Sequence, residues 1–472
     1  MGGGARCRCG TAAGLLGQAG AAAQSLTGPG LTSAGQKSEH SCSTRYRIEL
    51  PSGNLGVAGA ICRPYDALVV RRRRLLVVFA AAAMVGVSLA TTVIFVGLLL
   101  SERATAFAVL YHAAATVMAG HSPYRDLSGV KLNEAFEYLP WVALALSPFT
   151  RLPFWIAFHL WVALSGTIAV ASAWVLARTL GWRRPWLLAA SVAVWEVLWR
   201  GLLTGQVDGW LLGLETASIL ASSKGRYGWA GASALAAALI KPQVMWILPV
   251  ALLWPALARG RAVRYLTGGL GAAAVLLAGP ALLHPSLLPQ WWGSLAHFST
   301  SIASIQPDLA GLPGLLRFTP ASWGLTPSLR DPVTVLIVAA GMVWIVQLFW
   351  ARPSLGAGGS AAPDGDAVWL VSLTLGVWVL VAPYSHSNDL LVLLPLLALV
   401  VGLDFEAARE SDVLGVLACM VGLPELFLFL NPAQVIGRLS VASLAVAALV
   451  VVAHRRSPWR WASASAAGPT SH

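Results

Sequence analysis

The sequence predicts an all-α integral membrane protein, and two features lead to that prediction. Hydrophobic residues make up 57% of the 472 residues and charged residues only 11%, whereas charged residues form about 25% of a typical soluble domain. In addition, apolar runs recur along the chain with a length of about 20 residues, which crosses a bilayer as a helix. We therefore expect a bundle of membrane-spanning helices.

The net charge of +12 comes mainly from arginines, which cluster at the ends of the apolar runs. Arginines in such positions set the orientation of membrane helices, so the charge gives no reason to expect a nucleic-acid partner. The five cysteines lack the paired spacing of a zinc site. The sequence therefore predicts neither a metal nor a cofactor.

The chain divides into three parts by composition. Residues 1–69 are rich in small and polar residues and are predicted to be a disordered, low-complexity cytoplasmic region. Residues 70–456 hold the long apolar runs and form the membrane domain, and residues 457–472 are predicted to be a disordered cytoplasmic tail. Four arginines directly before the first run place the N-terminus in the cytoplasm.

About twelve transmembrane helices are predicted, and their connections sort by charge. With twelve crossings, the short arginine-rich connections all lie in the cytoplasm, as basic loops prefer. The apolar segment 138–149 is too short for another crossing and is predicted to be a partial or re-entrant helix, which is acceptable when packed against protein. The predicted spans are 74–100, 154–178, 185–200, 207–222, 228–241, 243–257, 264–282, 332–350, 367–382, 389–403, 412–430 and 433–452.

Polar residues concentrate on the external side of this arrangement. They lie in two long loops, 101–137 and 283–331, and in several short turns that contain His, Asp, Gln and Lys. The chain contains no P-loop, no HExxH motif and no paired CxxC. Because nucleotide donors are absent outside the cell, an enzyme that works on this side would need a lipid-linked donor.

Four segments resemble the motifs of one enzyme family. AGHSPYRD, followed by FEYLPWVALALSPFTRLP, resembles the first external loop of the polyprenol-phosphate-sugar-dependent glycosyltransferases of the GT-C class. The resemblance is to glycosyltransferase family 87 in particular, which includes bacterial α-mannosyltransferases and an arabinofuranosyltransferase. RGLLTGQVDGWLLGL resembles its Gly-Gln-x-Asn turn, and RYGWAGASALAAALIKPQ resembles its Ala-Gly-x5-Ala…Lys-Pro element. APYSHSNDLLVLLPLLAL resembles its late Ser-Pro-x4-Tyr-Asp-Leu or Ser-Pro…His-His element.

The resemblance implies both a fold and an activity. The fold would be a GT-C-like multi-pass bundle of about twelve helices with a long first external loop. The activity would be transfer of a hexose, above all mannose, from polyprenyl phosphate to an extracytoplasmic glycolipid or polysaccharide. Such a transfer needs a general base for the acceptor hydroxyl, and an inverting displacement needs no covalent intermediate. The active site would face outside the cell membrane, among membrane lipids.

One position departs from the family. Its members carry an Asp fourteen residues before the Gly of the first-loop motif, and the resemblance makes that Asp the expected base. This chain has Ala106 at that position. The nearest carboxylate is Glu102, and residues four apart share a helical face. Glu102 is therefore a candidate base, or else only an interfacial charge at the end of the first span.

Two other carboxylates are candidate bases. Asp126 lies in the Pro-Tyr-Arg-Asp sequence and could alternatively form a turn there. Asp389 lies at an external helix start and could instead stabilise the helix N-terminus.

The candidate substrate-binding residues are also external. Lys241 could bind the donor phosphate, since an ionisable residue within an apolar element is a functional candidate, or it could extend to the membrane interface. Arg317 resembles a family position that carries Arg and is the second phosphate candidate. Gln206 and Asp208 could bind sugar hydroxyls or cap the following helix. The remaining candidates are Tyr124 and His386.

Two other functions fit parts of the sequence. A transporter or flippase of lipid-linked substrates would also have short helices and charges at membrane depth. Transporters commonly contain a repeated half, however, and residues 74–257 show no repeat of residues 264–452. A catalytically inactive family member would account for Ala106.

Overall fold

The computed structural model describes residues 86, 90, 104–124, 136–297, 309–313, 316, 327–350, 363–407 and 441–456. Within these residues the chain is almost entirely helical. The helices up to residue 240 are α1 (Thr105–Met118), α2 (Pro140–Leu146), α3 (Phe154–Thr179), α4 (Pro185–Ala193), α5 (Glu196–Thr204), α6 (Asp208–Ser223) and α7 (Tyr227–Ile240). The later helices are α8 (Pro242–Met245), α9 (Ile247–Ala258), α10 (Ala262–Leu283), α11 (Leu287–His297), α12 (Pro327–Trp350), α13 (Pro363–Val381), α14 (Leu394–Ala407) and α15 (Val441–Arg456).

Three of the described helices, α3, α10 and α12, are long and apolar enough to cross a bilayer. The pair α4–α5 makes a fourth span if it is counted as one bent element. The shorter apolar helices include α1, α7, α13 and α15. The protein is therefore a helical membrane protein, as the composition predicts. The predicted spans 74–100 and 412–430 lie outside the described residues.

The predicted span 185–200 is not a straight helix. It is divided into α4 and α5, which meet at an angle of 50°. Trp195 has extended backbone angles, φ −77° and ψ 125°, so the α-helical hydrogen-bond ladder stops there. The Trp199 indole N–H donates to the carbonyl of Ala193 at 2.8 Å. An indole therefore satisfies one of the carbonyls that the break leaves free.

The short apolar segment after the first external loop forms α2, a helix of seven residues. Seven residues extend only about 10 Å along a helix axis, too little to cross a bilayer. A 3-10 helix, η1 (Ser147–Arg151), follows it directly. The Tyr111 hydroxyl donates to the carbonyl of Leu152 at 2.8 Å, which connects this segment to α1. The structure thus agrees with the partial helix expected at 138–149.

Helix α13 lies at the centre of the packed core. Every residue from 367 to 382 is buried, so the helix is enclosed on all sides. A helix that is apolar all round is expected to be buried in this way. The α13 indole of Trp378 stacks edge-on against Trp246 and donates to the carbonyl of Gln243 at 3.1 Å. These contacts join α13 to the α8–α9 segment that follows α7.

A two-stranded ladder connects two segments that are far apart in the sequence. Strand β1 (Leu309–Ala310) pairs antiparallel with β2 (Ser385–His386), with Leu309 opposite His386. A 3-10 helix, η2 (Ser387–Leu393), begins directly after β2 and leads into α14. The ladder thus connects the predicted second external loop to the turn that carries Asp389.

Candidate active site

Lys241 lies at the break between α7 and α8. The residue before a proline is disfavoured in the α-helical region, and Lys241, which precedes Pro242, has φ −137° and ψ 76°. Helix α7 therefore ends at Ile240. The Lys241 side chain is 4% exposed, so it does not extend to the membrane interface.

The ammonium of Lys241 contacts two carboxylates. Its Nζ lies 3.3 Å from Oδ1 of Asp208 and contacts Oδ1 of Asp389. The Asn388 side-chain amide donates to Oδ2 of Asp208 at 2.6 Å. These four residues, which we call the charged cluster, come from three separate parts of the chain. Both carboxylates are nearly inaccessible to solvent, at 2% and 0% exposed.

A tight turn positions Asp208. Helix α5 ends at Gly205, whose φ of +77° belongs to the left-handed region that favours glycine. A side chain at Gly205 would also collide with the Cβ atom of Phe107 on α1. After this turn, Asp208 is the first residue of α6, where the positive end of the helix dipole stabilises a carboxylate.

Asp389 is positioned by the start of η2. Its Oδ2 accepts a hydrogen bond from the backbone N–H of His386 at 2.8 Å. In return, the His386 side chain accepts from the backbone N–H of Asp389, which completes a capping box. Asp389 therefore stabilises a helix N-terminus and also contacts Lys241.

The charged cluster combines two carboxylates with one ammonium in apolar surroundings. Removing an ion from water costs several kcal/mol, which close opposite charges and hydrogen bonds must offset. All four carboxylate oxygens of Asp208 and Asp389 have such a partner. The cluster is thus satisfied internally, and removal of Lys241 would leave two buried carboxylates without their counter-ion.

A layer of tyrosine and amide groups lies beside the cluster. The Tyr138 hydroxyl donates to Oε1 of Gln206 at 3.0 Å, and the Tyr124 hydroxyl donates to the carbonyl of Tyr138 at 2.7 Å. Burial raises the pKa of the Tyr138 phenol, against the opposing effect of Lys241. Tyr138 therefore stays a neutral hydrogen-bond donor.

Gly201 connects this layer to the cluster. A Cβ atom at Gly201 would lie 3.4 Å from Oδ2 of Asp208 and 3.9 Å from the Cβ atoms of both Gln206 and Asn388. These groups therefore gather around one glycine of α5.

Two segments meet beside the tyrosine layer. The Trp291 indole on α11 donates to the carbonyl of Glu137 at 3.1 Å. The Ser122 hydroxyl donates to the side-chain carbonyl of Gln290, also on α11. The residues around Ser122 and Glu137 are thus in direct contact with α11 next to Tyr138.

The structure brings most of the described candidate residues together. Asp208, Lys241 and Asp389 are in contact, whereas the sequence assigned them separate roles. Gln206 accepts a hydrogen bond from Tyr138, and the backbone N–H of His386 donates to Asp389. Tyr124 is connected to Gln206 through Tyr138. The remaining candidates, Glu102, Asp126 and Arg317, lie outside the described residues.

Sequence reasoning missed Tyr138 and Asn388. Both lie in segments that carried the family resemblance, FEYLP and SHSND. The signal that could have identified them was a polar side chain within a segment that resembles a family motif. Ala106, where the family carries an Asp, is buried in the first turn of α1.

Comparison with known proteins gives one result. The model of glycosyltransferase family 87 matches residues 136–401, which is more than half of the chain. The matched region includes all four residues of the charged cluster as well as Tyr138 and Gln206. No curated protein and no solved structure shows significant similarity to the chain. On the strength of the family match, the chain belongs to glycosyltransferase family 87.

Proposed function

We propose that this protein transfers a hexose, above all mannose, from a polyprenyl phosphate donor to an extracytoplasmic glycolipid or glycan. One observation carries the proposal. In a chain of a glycosyltransferase family, Lys241 is buried at the break between two apolar helices and contacts both Asp208 and Asp389. Ionisable groups at such a position are costly and mark functional sites.

The reaction needs one proton acceptor. The acceptor hydroxyl attacks the anomeric carbon, a new C–O bond forms, and the bond from that carbon to the phosphate oxygen breaks. Polyprenyl phosphate leaves with the electron pair, and a base takes the hydroxyl proton. In our proposal the displacement is inverting and Asp389 is the base, with Glu102 and Asp126 as the alternatives.

Other residues of the site bind the substrates. Tyr124, Gln206 and His386 are proposed to contact sugar hydroxyls, because they provide donors and acceptors next to the charged cluster. Lys241 and Arg317 are proposed to stabilise the departing phosphate, as cations do for a developing negative charge. Because Lys241 contacts both carboxylates in this structure, phosphate binding to it requires the ammonium to move or to share its contacts.

We further propose the topology that this chemistry needs. About twelve helices between residues 70 and 456 cross the cell membrane, the N-terminus and the tail 457–472 are cytoplasmic, and the charged cluster faces outside. Cysteine labelling with an impermeant reagent tests this arrangement at two exposed positions. Position 226 should be protected in intact cells, and position 286, in the predicted loop 283–331, should react. Labelling of position 226 in intact cells would contradict it.

The direct test is a transfer assay. Purified protein in lipid nanodiscs is incubated with radiolabelled mannosyl, glucosyl and arabinofuranosyl polyprenyl phosphates and a panel of glycolipid acceptors. We expect transfer from the mannosyl donor, and a loss of about 10²–10⁴-fold when the base is replaced by its amide. Asp389→Asn, Glu102→Gln and Asp126→Asn are compared to identify it. Absence of transfer from every donor would support the transporter or the inactive member instead.

A further inference from the structure

The charged cluster holds one more negative charge than positive charge. Asp208 and Asp389 contribute two carboxylates and Lys241 one ammonium, and each of the three residues is at most 4% exposed. Asn388 adds a hydrogen bond to Asp208 but no charge. The single ammonium is therefore shared by two acids, and an anion that approaches it competes with both.

A phosphate group at Lys241 changes this balance. The proposed donor is a phosphodiester, which carries one negative charge near neutral pH, so three negative charges would face one ammonium. Like charges that lie close together and out of water do not all stay ionised, and a buried carboxylate without its counter-ion is strongly destabilising. The change of lowest cost is for one carboxylate to take up a proton as the phosphate binds.

The hydrogen-bond partners of the two carboxylates differ in a way that decides which of them accepts the proton. A protonated carboxyl needs an acceptor for its new O–H. The carboxylate oxygens of Asp389 face the ammonium of Lys241 and the backbone N–H of His386, which are donors only. Asp208 faces the side-chain amide of Asn388, which has a carbonyl oxygen as well as donors. A half-turn of that amide offers an acceptor to protonated Asp208.

The contact between Lys241 and Asp208 is also one that can be given up. Its length of 3.3 Å lies at the long end of the range for hydrogen bonds. When this contact is lost, Lys241 still has the carboxylate of Asp389 as its partner. The ammonium can therefore turn towards a phosphate without leaving the cluster.

Other charged or titratable groups lie on the segments around Asp208. On α3, the group opposite the start of α6 is the uncharged backbone carbonyl of Ser165, which approaches Gly209. Because several titratable groups are close, a count of protons alone does not identify Asp208, and substitutions are needed. Among the described residues these groups are Lys241, Asp389, His386, Glu137, Tyr138, Tyr124 and Arg200.

We propose that Asp208 takes up one proton from solvent when the donor phosphate binds, and that Lys241 thereby passes from Asp208 to the phosphate. The step rests on the proposed function, in which that phosphate binds at Lys241. The ammonium keeps its protons and its contact with Asp389, and the new O–H of Asp208 donates to the carbonyl oxygen of the Asn388 amide. Asp208 is thus a positioning residue that acts on the phosphate through Lys241. Because proton uptake and binding are linked, the affinity for the donor falls as the pH rises.

Calorimetry counts the proton without any sugar transfer. The full-length protein in nanodiscs is titrated with geranyl methyl phosphate, a phosphodiester without a sugar, in two buffers that differ in ionisation enthalpy. We expect uptake of about one proton per bound ligand at neutral pH, and a Kd that rises by up to about tenfold for each unit of pH. Asp208→Asn should take up no proton, and its Kd should not depend on pH.

Glu215→Gln is the matched control. Glu215 is a second buried acid of α6, 0% exposed, and the change is again from acid to amide, so uptake of about one proton should remain. Uptake that persists in Asp208→Asn would overturn the proposal. So would binding to the parental protein without proton uptake, as expected if a second cation arrives with the phosphate. Absence of binding at every pH would contradict the phosphate site of the proposed function itself, and the proton uptake with it.

Infrared difference spectra identify the acid that holds the proton, and they do not require Asp208→Asn to fold. Binding of the phosphodiester to the parental protein should produce the C=O stretch of a newly protonated carboxyl. In Asn388→Leu that stretch should move to a higher frequency or disappear, because the O–H of Asp208 loses its acceptor. A band at the same frequency in both proteins would assign the proton to Asp389, and absence of the band in the parental protein would show that no carboxyl is protonated. Either result would overturn the proposal.

Discussion

Two buried carboxylates on α6 differ in their surroundings. Asp208, the first residue of the helix, contacts Lys241 and accepts a hydrogen bond from Asn388. Glu215 lies two turns further along and is 0% exposed, yet neither carboxylate oxygen has a hydrogen-bond partner among the described residues. Seven residues, or about 10 Å of helix, separate a fully paired acid from an unpaired one.

The difference shows which acid can carry a charge. A buried carboxylate is stable as an ion only with an opposite charge and hydrogen bonds close by. The turn before α6 and the segment around Asp389 provide these partners at the first residue of the helix, and no described group provides them at Glu215. Acid chemistry is therefore expected at the start of α6 and not in its middle. Four substitutions test this contrast.

The largest effect is expected for Lys241→Met. The variant leaves Asp208 and Asp389 buried beside each other without a cation, which costs about 3–5 kcal/mol when one partner of a buried pair is removed. We expect a large fall in melting temperature and loss of measurable transfer. Lys224→Met is the control, because Lys224 is exposed in the turn after α6. Equal melting temperatures for the two variants would show that the cluster contributes little to stability.

Asp389→Asn should reduce the rate while the protein stays folded. The amide can still accept a hydrogen bond from the His386 N–H, but it cannot take a proton. We expect kcat to fall by about 10²–10⁴-fold, measured with the radiolabelled donor. Asp331→Asn, at an exposed position near the start of α12, should keep the parental rate. A parental rate for Asp389→Asn would assign the base to another carboxylate.

Tyr138→Phe should weaken substrate binding. It removes the hydroxyl that donates to Gln206, and a single hydrogen bond of this kind contributes about 1 kcal/mol. We expect KM for the sugar acceptor to rise by a factor of about five, with kcat little changed. Tyr265→Phe removes a similar hydrogen bond to Pro249, at 2.9 Å, and should leave KM unchanged. A shift in KM for both variants would point to a general loosening of the fold.

Glu215→Gln should have the smallest effect. No described cation or donor contacts its carboxyl oxygens, so a neutral amide of the same shape removes no interaction. We expect the transfer rate to change by less than about twofold. A fall in transfer rate as large as that of Asp389→Asn would contradict the contrast between Asp208 and Glu215. It would show that Glu215 takes part in the reaction.

The sequence predicted the class of protein and singled out three of the four residues of the charged cluster, but not their contact. Lys241 stood out because a charge is rare in an apolar element, and Asp208 and Asp389 because they lie at predicted helix starts in segments that resemble family motifs. Their contact could not be predicted from spacing, since Lys241 is 33 residues from Asp208 and 148 from Asp389. Only the packing of α6, α7 and η2 brings them together.

Local geometry was also partly predictable. The segment 138–149 could be recognised as a partial helix because it is too short to cross a bilayer. The break after Ala193 could not, because no proline or glycine lies between Pro185 and Trp199. The break depends on tertiary packing and on the Trp199 indole N–H, which donates to the Ala193 carbonyl that the break leaves free.

The two-residue ladder between β1 and β2 has a consequence for motion. His386 is paired with Leu309 on one side of its backbone and holds the carboxylate of Asp389 through its N–H. A displacement of β1 therefore pulls on the residue that orients Asp389. Because thermodynamic coupling is reciprocal, a ligand that immobilises Asp389 also stabilises the ladder. Strand β1 and the buried acid are therefore coupled through the backbone of His386.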